Sequence, residues 1–117
     1  MEKIKIGEKN IGENFPCFTI AEAGANHDGD VNKALKLIDS AIDAKSDSIK
    51  FQSYKASKLT TKSAPKYWED DNPDETQYEV FKKLDTLTED NWSEIFEYGR
   101  EKNISCFSNE CYIFGKK

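Results

Sequence analysis

From the amino terminus, apolar positions first alternate and then cluster. Ile4 and Ile6 alternate with charged residues in "KIKIGEKNIGENFP", residues 3–16, before turn residues and Ile11. This is the pattern of a short β-hairpin or two edge pieces. "FPCFTIA", Phe15 to Ala21, is a compact apolar run that reads as a buried strand. Past a glycine-bearing turn, Asp30 can cap a helix. "VNKALKLIDSAIDAK" then sets Val31, Ala34, Leu35, Ile38, Ala41 and Ile42 on one stripe at helical spacing. Lys45 to Asp47 break the stripe, and "SIKFQ", Ser48 to Gln52, reads as a second strand. Strand, helix and strand in this order predict a βαβ unit, hence parallel strands.

Residues 53–75 form a long polar connection, a length that in a compact domain is functional or unstructured. "ETQYEVFKKL" is a short amphipathic helix with Tyr78, Phe81 and Leu84 on one face. Thr88 caps a longer helix, "EDNWSEIFEYGREK", with Trp92, Ile95, Phe96 and Gly99 along one side. Asn103 follows its last turn, where a residue tolerant of left-handed geometry is favoured. "ISCFS", Ile104 to Ser108, is a third strand. The predicted class is α/β, with three parallel strands and intervening helices after a short hairpin. Such an order opens a Rossmann-like sheet or a (β/α)8 barrel. A complete barrel takes about 250 residues, so this chain of 117 is a small open fold or an incomplete barrel.

Composition narrows the function classes. The net charge of -5 lacks the basic footprint of nucleic-acid binding. No apolar run approaches the ~20 residues that cross a bilayer. The first residues lack a signal-peptide core, so neither membrane nor export is expected and the cytoplasm is the predicted location. Cys17, Cys106 and Cys111 are odd in number and without CxxC spacing, which predicts reduced thiols. With one His in the chain, no metal site is expected within it.

Ligands of parallel α/β folds bind at the carboxyl ends of the strands. Glu22, in "IAEAGANHDGD", closes the first predicted strand, Lys50 and Gln52 the second, and Ser108 the third. Lys50 and Gln52 are two apart and share a face, leaving Ile49 and Phe51 to pack on helices. A lysine between apolar residues is costly to bury without an anionic partner. The readings stay open: Lys50 faces solvent on an edge strand, Glu22 and Lys50 are a structural salt bridge, or they are a catalytic acid beside a cation for a carboxylate or phosphate. His27 by itself reads as a hydrogen-bonded loop residue. Gly24 and Gly29 do not form the dinucleotide fingerprint. The aromatic residues of the last helices read as core, and "WEDDNPDE" as a solvated loop.

Together "IAEAGANHDGD", "IKFQ", "KLTTKSAPKYW", "QYEVFKKL" and the capped helix leading into "CFS" make the chain resemble the N-terminal part of the sialic acid synthase family. That family comprises N-acetylneuraminate synthase and its legionaminate, pseudaminate and spore-coat relatives. The resemblance runs from about Ile4 to Ser108. It implies the first part of a (β/α)8 barrel, which in full-length members is followed by a small antifreeze-like domain. It implies a transferase activity, in which phosphoenolpyruvate condenses with an N-acetylated amino sugar such as N-acetylmannosamine and phosphate is released. It also implies Mn2+ or Mg2+, held by residues of later strands, and homodimers in the full-length proteins.

By the same resemblance Glu22 is the acid beside phosphoenolpyruvate, and Lys50 and Gln52 hold the substrate. Asn72 falls where the family contacts the sugar, Ser108 ends the substrate-binding third strand, and Asn26 and His27 shape the site. Lys45 and Ser46 stand where the family commonly has Gly, and Asn109 where it has a phosphate-holding hydroxyl. Residues 1–108 are thus assigned to the barrel, and 109–117 to a divergent tail from a truncated or shifted reading frame. A chain with three strands is expected to be poorly stable and without synthase activity. The alternatives are a small stand-alone α/β module using Glu22 and Lys50 as an anion or interaction site, and a non-functional remnant.

Overall fold

The computed structural model describes residues 2–110; of the proposed divergent tail, residues 111–117, Cys111 among them, lie outside these. Strands β1 (Ile4–Ile6) and β2 (Lys9–Ile11) form the antiparallel hairpin. Strand β3 (Ile20–Gly24) leads into helix α1 (Val31–Asp43) and strand β4 (Ser48–Ser53). Helices α2 (Ala56–Leu59), α3 (Gln77–Leu84) and α4 (Glu89–Glu101) precede strand β5 (Ser105–Glu110). The second sheet has the order β3-β4-β5 and is parallel throughout.

The helix ends follow local chemistry. Asp30 accepts hydrogen bonds from the backbone N–H groups of Asn32 and Lys33, capping α1. Thr76 and Glu79 form a capping box on α3, and Thr88 and Asn91 do the same on α4. Asn103 takes the left-handed turn after α4 at φ 59°, and Lys45 does so after α1, also at φ 59°.

Ala34, Ile38 and Ala41 of the α1 stripe are fully buried, while Val31, Leu35 and Ile42 pack at its margin. They meet Ile49 and Phe51 of β4, with Trp92 and Ile95 of α4 completing the core on one face of the sheet. Gly99 brings α4 onto β5: a Cβ there would lie 2.6 Å from Cys106 Sγ. The hairpin sits under the amino ends of the strands, where Lys9 Nζ reaches Asp47 Oδ1 at 3.3 Å and Gly7 approaches Ser105.

Several expectations change. The first strand begins at Ile20, and Phe15–Thr19 lie outside it. Pro16 has no N–H to give a ladder. The strand continues past Ala21 to Gly24, so Glu22 stands in mid-strand. It is not a wholly buried strand either: Ile20 is 52% exposed, whereas Ala23 is buried. Alternation places Ile20 and Glu22 on the face that no helix covers. Strand β4 extends one residue beyond Gln52, and β5 two beyond Ser108; Asn109 and Glu110 pair with Gln52 and Ser53. The connection 53–75 contains α2, and Pro65 bridges to Thr76. The "WEDDNPDE" stretch is organised rather than merely solvated, because Asp70 accepts from Lys66, Trp68 and the Asn72 backbone.

Candidate active site

The strand register fixes which side chains share the open face. Glu22 faces Lys50 on β4, and Lys50 faces Phe107 on β5. Gln52, two residues on, faces Asn109. Since side chains of paired residues in a parallel sheet project to the same side, Ile20, Glu22, Lys50, Gln52, Phe107 and Asn109 form one surface. Ile49, Phe51, Ser53 and Ser108 belong to the helix-covered side.

Glu22 Oε2 and Lys50 Nζ are 2.7 Å apart, with Lys50 the more enclosed of the two. The strand then shifts register at Ala23, and Gly24 turns left-handed at φ 55°. Gly24 is suited to that conformation because it has no Cβ. A Cβ there would sit 3.5 Å from Glu22 Oε1 and 4.0 Å from Gln52 Cδ, so the three residues converge on one spot. The pair can offer a cation and a carboxylate to a small anion arriving over the carboxyl ends of the strands.

The turn after Gly24 is a chain of backbone bonds: Asn26 N–H to Ala23, Asp28 to Ala25, and Asp30 to His27. His27 is buried behind it, 1% exposed, edge-on to Trp92 with ring centroids 5.4 Å apart. Its Nδ1 accepts the Gly29 N–H at 2.9 Å, which assigns the ring proton of the neutral form to Nε2. That Nε2 is buried without a partner in hydrogen-bond geometry. Burial lowers the His27 pKa, against smaller raising effects of the Gln52 backbone and the Asp28 charge. His27 thus supports the turn from the core side. Asn26 lines an open depression on the α1 side together with Lys33, Lys36 and Ser40.

Of the other predicted site residues, Ser108 is not brought to Lys50. Its hydroxyl lies 2.8 Å from that of Ser53, on the helix side. Asn72 is in the loop, beside Tyr78 and Glu79 in an open depression that contains neither Lys50 nor Gln52. Asn109, Tyr67 and Gln77, none of them a binding residue expected from the sequence, line a pocket with Gln52. The period-two rule that paired Lys50 with Gln52 would, applied to β5 in register, have chosen Phe107 and Asn109 over Ser108. Among the described residues no three His, Cys, Asp or Glu side chains converge on a metal position, and the one His is in the core. The residues present therefore do not fit the metal implied by the resemblance.

The NeuB family profile matches residues 37–111. An uncharacterized protein of Methanocaldococcus jannaschii is 37% identical over 108 residues, covering 92% of this chain and 28% of that protein. The N,N'-diacetyllegionaminic acid synthase of Legionella pneumophila is 40% identical over 89 residues, 74% of this chain and 25% of the enzyme. The crystal structure of the N-acetylneuraminic acid synthetase of Leptospira borgpetersenii superposes with a TM-score of 0.73 at 33% identity, over 96% of this chain and 35% of that one. The chain therefore spans between a quarter and about a third of the length of these relatives. The structural likeness bears out an α/β fold that forms the beginning of a (β/α)8 barrel.

Proposed function

We infer the function from one premise: the chain belongs to the NeuB family. On that premise it carries the opening strands of a sialic acid-type synthase, which joins phosphoenolpyruvate to an N-acylated amino sugar. The observation that carries this reading is the Glu22–Lys50 pair, in mid-strand on the uncovered face of β3 and β4. Lys50 meets a negative group of phosphoenolpyruvate by a charge-assisted hydrogen bond. Glu22, released from Lys50 by the incoming anion, stands beside the enol carbon.

The terminal carbon of phosphoenolpyruvate bonds to the sugar aldehyde carbon, and the aldehyde oxygen takes a proton. Positive charge grows on the enol carbon, where a fixed carboxylate stabilises it. Water adds to that carbon: one of its protons balances the one taken by the aldehyde oxygen, and the other goes to phosphate, which leaves with the bridging C–O electrons as the ketone forms. The described residues by themselves form no site for a metal ion.

Three strands supply only part of this machinery. Ile20 at 52% and Phe107 at 38% exposure leave the would-be barrel interior open, which favours a barrel portion over a self-sufficient binding module. Among the described residues no helix is long and apolar enough to cross a membrane. We place the activity in the cytoplasm, with small-molecule substrates rather than nucleic acid as partners and with homodimers for the longer relatives.

Titrating the chain with phosphoenolpyruvate and following its backbone amide signals tests the reading. Saturable shifts at Glu22, Lys50 and Gln52 are expected; shifts confined elsewhere, or none, would sink it. Phosphate release by the 117-residue chain with phosphoenolpyruvate, N-acetylmannosamine and Mn2+ is expected to stay at background. Turnover would refute that expectation.

A further inference from the structure

Beside the charged pair lies an uncharged half-site. A pocket of about 340 Å³ opens between the end of β4 and α3, walled by the rings of Tyr54, Tyr67 and Phe81. Its polar side chains include the carboxamides of Gln52, Gln77 and Asn109, and no charged residue lines it. The volume falls near the lower end of the range of about 300–1,000 Å³ usual for small-molecule pockets. Gln77 is held in place: Nε2 donates to the Pro65 carbonyl at 2.7 Å, and Oε1 accepts from the Thr60 hydroxyl at 3.5 Å. Gln52 and Asn109, opposite each other in register, make no side-chain hydrogen bond among the described residues. Gln52 joins the two halves, since it and Glu22 both border the same point above Gly24.

Tyr67 stands at the rim, 83% exposed. Its ring is not loose. It meets Trp68 edge-on at 4.7 Å, Trp68 leans on Phe81 at 6.0 Å, and the indole N–H is tied to Asp70. A large ring fixed in water beside two unengaged carboxamides and an apolar wall is suited to a ligand that is itself half amide and half alkyl. Carboxamides both donate to and accept from an amide group. An aromatic face covers the alkyl part. An ammonium group would find no carboxylate among these walls.

We propose that this pocket receives the acylamino group of the amino-sugar substrate, and that Tyr67 determines which acyl groups are accepted. The proposal rests on the functional reading above and adds to it the placement of one substituent. The sugar ring then lies over Gln52, between the acyl pocket and the anion held at Lys50. A sugar bearing a hydroxyl in place of the acylamino group leaves the amide-pairing groups unmatched, which is how such sites discriminate.

The test uses the nitrogen-labelled 117-residue chain titrated separately with N-acetylmannosamine, mannosamine, mannose and phosphoenolpyruvate. N-acetylmannosamine is expected to shift the side-chain amide signals of Gln52 and Asn109 and the indole signal of Trp68 saturably. Mannose and mannosamine should act at least about tenfold more weakly. Tyr67→Ala should weaken N-acetylmannosamine by up to about tenfold, and Tyr67→Phe should preserve it. Neither substitution should alter the phosphoenolpyruvate response, and unchanged spectral dispersion shows that the exposed ring was removed without unfolding.

Equal responses to N-acetylmannosamine and mannose, or undiminished affinity in Tyr67→Ala, overturn the proposal. Phosphoenolpyruvate shifts at Lys50 with no sugar response overturn it alone. Loss of both responses overturns the functional reading as well.

Discussion

Glu22 and Lys50 occupy facing positions on neighbouring parallel strands, and their carboxylate and ammonium groups meet at 2.7 Å. Helices cover the opposite face of the sheet, so the pair stays in contact with solvent: the Glu22 side chain is 54% exposed and that of Lys50 27%. A pair so placed is worth about 0–1 kcal/mol to folding. An arriving anion can therefore separate it at small cost and keep the cation.

Lys50→Met keeps most of the aliphatic stem and removes the charge. Urea unfolding of this variant is expected to differ from the parent by less than about 1 kcal/mol. Phosphoenolpyruvate affinity should fall at least about tenfold, the scale of one lost charge-assisted hydrogen bond. A loss of several kcal/mol in stability with unchanged affinity would make Lys50 a structural residue instead.

Lys45 ends α1 in the left-handed region, φ 59°, with its N–H bonded to the Ile42 carbonyl. A side chain there opposes the conformation that glycine adopts freely. Lys45→Gly is expected to stabilise the chain by about 1 kcal/mol. The urea midpoint should rise without a change in slope. An unchanged or lower midpoint would mean that the Lys45 stem makes compensating contacts.

Local signals made most of the fold legible. Asp30, Thr88 and Asn103 mark helix ends by chemistry confined to a few residues, and the stripe from Val31 to Ile42 has one solution. The ends of strands were not legible, because they depend on partners far along the chain. Whether Phe15–Thr19 join β3, and whether Asn109 joins β5, is settled by pairing with β4. The same holds for the site. Glu22, Lys50 and Gln52 could be grouped from spacing within two strands and the resemblance. Spacing alone does not place Ser108, because the face it takes depends on the β4–β5 register, nor Tyr67, which comes to Gln52 only through the folding of the connection 53–75.

His27 gives the protein an acid-sensitive core. Burial lowers its pKa below the ordinary 6.5, so below that pH the unfolded chain binds a proton that the folded chain resists. Full stability is thus present above about 6.5 and declines as pH falls toward the lowered folded value, by at most about 1.4 kcal/mol per pH unit. The other groups shifted downward, Asp47 and Asp70, act only below their ordinary value of 3.8. Thermal unfolding measured at stepped pH on the acid side of neutrality should show the decline, and His27→Gln should flatten it. An equally steep decline in His27→Gln would assign it to other groups.

Asp70 holds the connection before α3 in place. Its carboxylate accepts from Lys66 Nζ, from Trp68 Nε1 at 3.1 Å and from the Asn72 N–H at 2.9 Å. Lys66 has a side chain only 4% exposed, and its ammonium group also reaches the Asn72 carbonyl. The Lys66 hydrogen bond, followed by that of Asn72, holds the Asp70 carboxyl below its ordinary 3.8 against the opposing effect of burial. A lowered folded pKa means that these contacts contribute above 3.8 and are lost as pH falls through the lower folded value. Asp70→Ala removes them at neutral pH. Protease cleavage between 60 and 76 should then accelerate, and Trp68 emission should move to the red. The urea midpoint of the helix-packed core should move little, because Phe51, Ile38 and Ile95 lie elsewhere. Tyr67 is carried between Lys66 and Trp68, so the same substitution should weaken the N-acetylmannosamine response. Cleavage rates and sugar response equal to those of the parent would show that neither the loop nor the acyl pocket depends on Asp70.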